Sequence, residues 1–342
     1  MPLPRALTAP LSCLLPLLLA LLSACASGKG AVDDTSTDAG ADGGSDGGDA
    51  DCPEAALFPA LTADPANAAY PDPSMTVSCE GDVLRVQSNG IPTYEYVDMT
   101  PNGLEAQAHD WRITRAPAQA AATTEIPLLG TAGFTLTGLP IYGPNEAEFP
   151  DPYGDPVYNE LLDTCLGHTG GAADYHYHAL LVACVLAGVE VADDEPDPII
   201  GYALDGFPIY GPRGCLDEAC AEVVTFESGW VQTGDPTTYA WDNHEYQGGG
   251  AATVLDACNG RVGPDGSYRY HATATFPYVL GCYAGTPGDD AGTTDGGGDG
   301  GGEAGGGEAV PGCDEVPEGM PCCGDSVCDG PETADNCPAD CG

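Results

Sequence analysis

Two stretches of this chain repeat each other without a gap. Gly133 to Pro144 reads GFTLTGLPIYGP and Gly201 to Pro212 reads GYALDGFPIYGP, with eight of the twelve aligned positions identical. A second pair follows in the same order, LDTCLGHTGGAADYHYHA from Leu162 and LDACNGRVGPDGSYRYHA from Leu255. In each copy a histidine follows a cysteine by 13 residues, Cys165 to His178 and Cys258 to His271, and Cys184 or Cys282 comes after it. Two shared segments in one order constrain the body to two related halves, about residues 133–184 and 201–282, with equivalent residues in equivalent places.

The repeat also suggests how cysteines pair. Outside Cys13 and Cys25, eight of the 16 cysteines fall between Cys52 and Cys282 and six between Cys313 and Cys341. Even counts in each block read as disulfides of an oxidising compartment before metal thiolates. Cys165–Cys184 and Cys258–Cys282 would each close a loop over a Tyr-His segment, Cys215–Cys220 would close a small loop, and Cys52–Cys79 remains. Between the cysteines, short apolar runs such as VLRV, IPLL and FTLTG alternate with the turn signals PNG, DPYGDP and GPDG. With few sustained 3.6-residue apolar periods, the expected fold is mainly β with long disulfide-pinned loops, or α+β. The best helix candidates are Asn159–Thr164 and Leu216–Val223.

Both flanks differ from this body. Residues 1–24 carry Arg5 and then an apolar run broken by Pro10 and Pro16, which reads as a signal peptide rather than a spanning helix. Leu22-Ser23-Ala24-Cys25 resembles the lipobox of bacterial lipoproteins, and that resemblance implies a lipid on Cys25, a membrane as partner and a cell-envelope location. Residues 25–51 and 286–312 are acidic, Gly-rich linkers, leaving a body of residues 52–285 and a Cys-rich module of residues 313–342. The formal net charge of -45 repels nucleic acid and favours cations. Lys29, the only lysine, lies in the first linker, so no lysine chemistry belongs to the body.

Chemistry in the body centres on DYHYHA, Asp174 to Ala179, in a chain with only 6 histidines. On a strand, residues two apart share a face about 6.5 Å from each other. His176 and His178 then point one way, and Tyr175 and Tyr177 the other. The second copy keeps His271 but has Arg269 for His176 and Arg261 for His168. Three readings compete. His168, His176, His178 and His271 would ligate copper or zinc, with Asp174 or Asp205 beside them. Alternatively, these histidines with Asp174, Asp163 or Asp205 would perform acid/base chemistry in a hydrolase or lyase, Arg261 and Arg269 holding an anion. Or Tyr and His are packing residues of a structural or adhesion module that meets a surface glycan. His109 and His244 read as ordinary surface or packing histidines, and Asp205 also reads as a turn cap. The body carries no GxSxG, GxxxxGK[ST] or HExxH pattern. In the last module, Asp325, Asp329, Glu332, Asp335 and Asp340 interleave with cysteines and offer oxygen ligands for calcium.

DYHYHA, GYALDGFPIYGP and LDACNG with YRYHATATFPYVLGCYAG together resemble the YHYH-domain family of exported proteins, over about residues 75–285, with NGIP at Asn89–Pro92 fitting the start of the pattern. The family is named for its motif, so the resemblance implies a domain and no activity. Two departures stand out: Thr93-Tyr94 follows NGIP where a histidine is expected nearby, and the second copy reads Tyr-Arg-Tyr-His.

Overall fold

The computed structural model describes residues 52–148, 152–189 and 191–288. The expected leader, residues 1–24, Cys25 and the first linker up to Asp51, the second linker from residue 289 and the Cys-rich module with Asp325, Asp329, Glu332, Asp335 and Asp340 lie outside the described residues. The body is mainly β, as expected. Its strands are β1 (Met75–Glu80), β2 (Val83–Ser88), β3 (His109–Thr114), β4 (Gly133–Thr135), β5 (Pro140–Ile141), β6 (Gly167–Thr169) and β7 (Tyr175–Tyr177), then a one-turn helix α1 (Val182–Val185). β8 (Ile199–Ala203), β9 (Pro208–Tyr210), β10 (Arg213–Cys215), β11 (Val223–Thr225), β12 (Trp230–Gln232), β13 (His244–Tyr246), β14 (Gly260–Val262) and β15 (Tyr268–His271) follow.

Eight of these strands form one sheet in the order β14-β15-β9-β8-β4-β5-β7-β6. That order is the sequence repeat made visible, because β4, β5, β6 and β7 on one side correspond to β8, β9, β14 and β15 on the other. The pairings agree residue by residue. Ile141 opposes Tyr177 across a parallel pair as Ile209 opposes Tyr270, and His168 opposes His176 as Arg261 opposes Arg269. At the centre β4 and β8 run antiparallel with Phe134 opposite Tyr202, which are themselves equivalent repeat positions. A local two-fold axis therefore passes between Phe134 and Tyr202.

Local chemistry is duplicated as well. Asp163 Oδ1 accepts from the N–H groups of Cys165 and Gly167, and Asp256 Oδ1 from those of Cys258 and Gly260. The Tyr175 hydroxyl donates to Asp163 and the Tyr268 hydroxyl to Asp256. These rings lie so close over Gly167 and Gly260 that a Cβ on either glycine would strike the phenol oxygen. One carboxylate, buried at Asp163 and exposed at Asp256, thus fixes the start of each Tyr-His hairpin.

A second sheet, β1-β2-β3, covers one face of the first. Its alternating pattern sends Leu84, Val86, Trp111 and Ile113 into the core, where Trp111 stacks on Phe134 at 4.9 Å between ring centroids. All four expected disulfides form, Cys52–Cys79, Cys165–Cys184, Cys215–Cys220 and Cys258–Cys282. The two expected helices do not. Residues 159–164 form turns in which Glu160 takes a positive φ of 57°, and residues 216–222 form a loop closed by Cys215–Cys220, with Cys220 at φ 43° and Val223 starting β11. Left-handed residues and a five-residue disulfide loop are incompatible with continuous i to i−4 bonding. Instead α1 lies in the apolar run ALLVACVL and contains Cys184.

Candidate metal centre

Strands β6 and β7 place three imidazoles on one point. Their register sets His168 directly opposite His176, and His178 follows two residues later on the same face. His176 Nε2 lies 3.1 Å from His178 Nε2, which lies 3.2 Å from His168 Nε2. All three rings are buried, with relative exposures of 2%, 4% and 2% for His168, His176 and His178. Glu146, on the loop after β5, closes the fourth side. Its Oε1 is 3.0 Å from His168 Nε2 and 3.4 Å from His178 Nε2.

The opposite ring nitrogens decide what these atoms are. His178 Nδ1 faces the Gly143 carbonyl at 2.6 Å, and His168 Nδ1 faces the Leu161 carbonyl at 3.1 Å. His176 Nδ1 lies 3.3 Å from the Asp174 carbonyl and 3.4 Å from Asp174 Oδ2. Each neighbour is an acceptor, so each Nδ1 carries the hydrogen and each neutral ring turns a bare Nε2 inward. Three lone pairs and a carboxylate oxygen then meet with no donor between them. Glu146 Oε1 is accordingly a buried oxygen without a hydrogen-bond donor.

Electrostatics follow from that convergence. Burial, reinforced by the neighbouring His176 and His168 rings, pushes His178 down to about 3. Burial raises the Glu146 carboxyl; only when His168, His178 and His176 are protonated do they outweigh it and bring the group down to about 2. Around the donors lies a supporting layer. Tyr142 stacks on His176 at 3.9 Å between centroids and donates its hydroxyl to Asp174 Oδ2 at 2.8 Å. Asn145, beside Glu146, donates to the Leu128 carbonyl and accepts from the indole N–H of Trp241 at 3.1 Å.

Not every expected residue joins. His271 sits on β15, five strand steps from β7, roughly 24 Å at the usual inter-strand spacing. The four-histidine cluster is therefore corrected to three histidines and a glutamate. Arg261 and Arg269 lie on β14 and β15, in His271's half and away from the histidine centre. Asp205 is a structural cap there: it accepts from the Tyr270 hydroxyl and the N–H groups of Phe207 and Gly285. Asp174 keeps its expected place behind His176. His109 stacks on Trp111 and His244 on Phe276, both as packing residues.

In the second half the equivalent position is filled. Gly214 replaces Glu146, and the Phe226 ring lies where a side chain on Gly214 would go. Phe226 packs 4.4 Å from the His271 ring and carries the Arg261 guanidinium at 4.4 Å, while Arg269 covers Tyr210 as His176 covers Tyr142. His271 retains the same Nδ1 bond, here to Gly211 at 2.8 Å. It is the equivalent of His178 without a partner set.

A family model described as YHYH protein matches residues 110–285, slightly more than half of the 342 residues. The chain belongs to the YHYH family. No curated protein and no solved structure matches it. The YHYH match begins after NGIP, so Asn89–Pro92 lies ahead of it, whereas every donor of the centre lies inside. The string that names the family supplies two of the four donors. Glu146 and Tyr142 escaped sequence reasoning, although one signal pointed to Glu146. IYGPNE in the first copy becomes IYGPRG in the second, so an acid disappears together with His168 and His176.

Proposed function

We propose that this YHYH protein binds one transition-metal ion through His168, His176, His178 and Glu146, and that it does so in an oxidising compartment outside the cytoplasm. The observation that carries the reading is the tautomer arrangement: three Nδ1 atoms face acceptors, so three Nε2 lone pairs and one carboxylate oxygen share a point that a bound cation satisfies. Their spacing fits a four-coordinate ion. A tetrahedral zinc with Zn–N near 2.0–2.1 Å has ligand-to-ligand edges of about 3.3–3.4 Å. Four of the six donor pairs are separated by 3.0 to 3.4 Å before any ion draws on them. Three imidazoles and a carboxylate without thiolate or thioether favour zinc or another divalent ion over copper(I).

Four protein donors in a buried site leave no position for a substrate, which favours holding an ion over hydrolysis or lysis. Four disulfides and the leader pattern support export, and the lipobox-like sequence supports a lipid anchor on Cys25. The test is metal analysis of the full chain after chelation and readdition of zinc or cobalt. One equivalent is expected in the wild type and none in His176→Ala or His178→Ala. Equal metal content in all three proteins would remove the proposal.

A further inference from the structure

The two halves share a hairpin turn that is covered in one and open in the other. In the first half, Ala173 adopts φ 60° and its N–H bonds the Gly170 carbonyl, while the Gly170 N–H bonds Asp174. In the second, Gly266 adopts φ 80°, and Gly263 and Ser267 repeat the same two bonds. The first turn is held by the protein's own extended segment Leu104–Gln107. The Glu105 N–H donates to the Ala173 carbonyl at 2.9 Å, the Gln107 amide donates to the Ala172 carbonyl at 3.2 Å, and Leu104 is buried at 4% exposure. Asp174 at that turn is buried.

Among the described residues, nothing equivalent covers the second turn. Asp265, Gly266 and Ser267 are exposed, and no described residue donates to the Asp265 or Gly266 carbonyls. Beside them runs a cleft of about 510 Å³, closed on its far side by Thr114, Arg115 and Gln119 from the β3 end of the small sheet. Its charges are balanced within the walls, Arg115 by Glu54 and Arg269 by Asp265. No aromatic face is open for stacking a sugar ring: Tyr202, Phe207 and Tyr268 are buried, and the Arg269 guanidinium lies over Tyr210. What the cleft offers is backbone carbonyls and fixed polar pairs, the complement of a peptide main chain.

We infer that this cleft is a peptide-binding site, which takes an extended segment in the way the first half takes Leu104–Gln107. An incoming backbone N–H bonds the Gly266 carbonyl, a polar side chain bonds the Asp265 carbonyl, and an apolar residue fills the space that Leu104 fills on the other side. The inference rests on the repeat and is independent of the metal reading.

The probe is the acetylated, amidated peptide NGLEAQA, the sequence of residues 102–108, titrated into the full-length chain by isothermal calorimetry or protein-observed NMR. Saturable binding with a dissociation constant below about 1 mM is expected. Thr114→Trp and Gln119→Trp, both at exposed positions that line the cleft, are each expected to weaken it at least tenfold while near-UV circular dichroism stays native. Absence of saturable binding overturns the proposal. So does equal binding of a scrambled peptide, or binding that both folded tryptophan variants leave unchanged.

Discussion

Replacing Glu146 by glutamine separates a metal centre from a packed histidine cluster, because the two readings assign opposite signs to its effect. In the metal-free chain at pH 8, above the ordinary imidazole range, Glu146 Oε1 faces bare nitrogen lone pairs at 3.0 and 3.4 Å. Glutamine has nearly the same shape and can turn an N–H toward His168 Nε2, converting an acceptor–acceptor contact into a hydrogen bond. Such a bond contributes about 0.5–1.5 kcal/mol. At about 2–4 °C per kcal/mol for a body of this size, the metal-free variant melts a few degrees above the wild type. With zinc the order reverses. At free zinc one hundred times the dissociation constant, the wild type gains about 2.7 kcal/mol, or about 5–11 °C. If losing the charged ligand weakens binding one hundredfold, the variant gains only about 0.4 kcal/mol at the same zinc. Differential scanning calorimetry in chelator and in zinc buffer reads both quantities. A variant that is less stable without metal, and that keeps the full zinc-dependent rise, refutes the reasoning.

Other outcomes follow from the same contacts. Tyr142→Phe removes the hydroxyl that orients Asp174 behind His176 and leaves the stacked ring; zinc affinity measured by competition with a chromophoric chelator is expected to fall about tenfold to one hundredfold. Cys165→Ser with Cys184→Ser opens a loop of sequence separation 19, costing about 3 kcal/mol and about 6–12 °C in melting temperature, and metal binding should fall with it because His168 is three residues from Cys165. Burial holds the phenols of Tyr94, Tyr175 and Tyr283 well above their ordinary value. Unfolded tyrosines release protons near pH 10 and these do not, so stability is retained below about pH 10 and lost as pH rises, by about 1.4 kcal/mol per unit for each ring. Absorbance of tyrosinate should therefore rise steeply and together with loss of near-UV circular dichroism; a gradual rise in a folded chain would contradict the burial.

Much of this was legible from duplication alone. Aligning Cys165 with Cys258 gave the halves and the disulfide partners, and strand alternation gave the shared face of His176 and His178. Fold symmetry was also the source of the main error. His271 aligns with His178, and equivalence of position was read as proximity, whereas a two-fold axis at the centre of a sheet sends equivalent residues to opposite arms. Glu146 was obscure for another reason: it reaches the imidazoles from a loop, where no periodicity marks direction. The expected helix at Leu216–Val223 failed because a disulfide spanning five residues overrides local propensity.

The pairing of β4 with β8 carries a consequence for how such a chain arose and how it can be taken apart. Phe134 opposes Tyr202 in a register that is self-complementary, since each strand presents to the other what the other presents to it. That is the geometry of an isologous contact between identical subunits. A single copy expressed alone would expose β4 as a free edge, and the partner best matched to that edge is another β4. The first half on its own is thus built to dimerise, with a histidine centre at each end of one continuous sheet. The fused chain holds that interface within a single polypeptide, and its second arm carries Arg261, Arg269 and Phe226 where the first carries His168, His176 and Glu146.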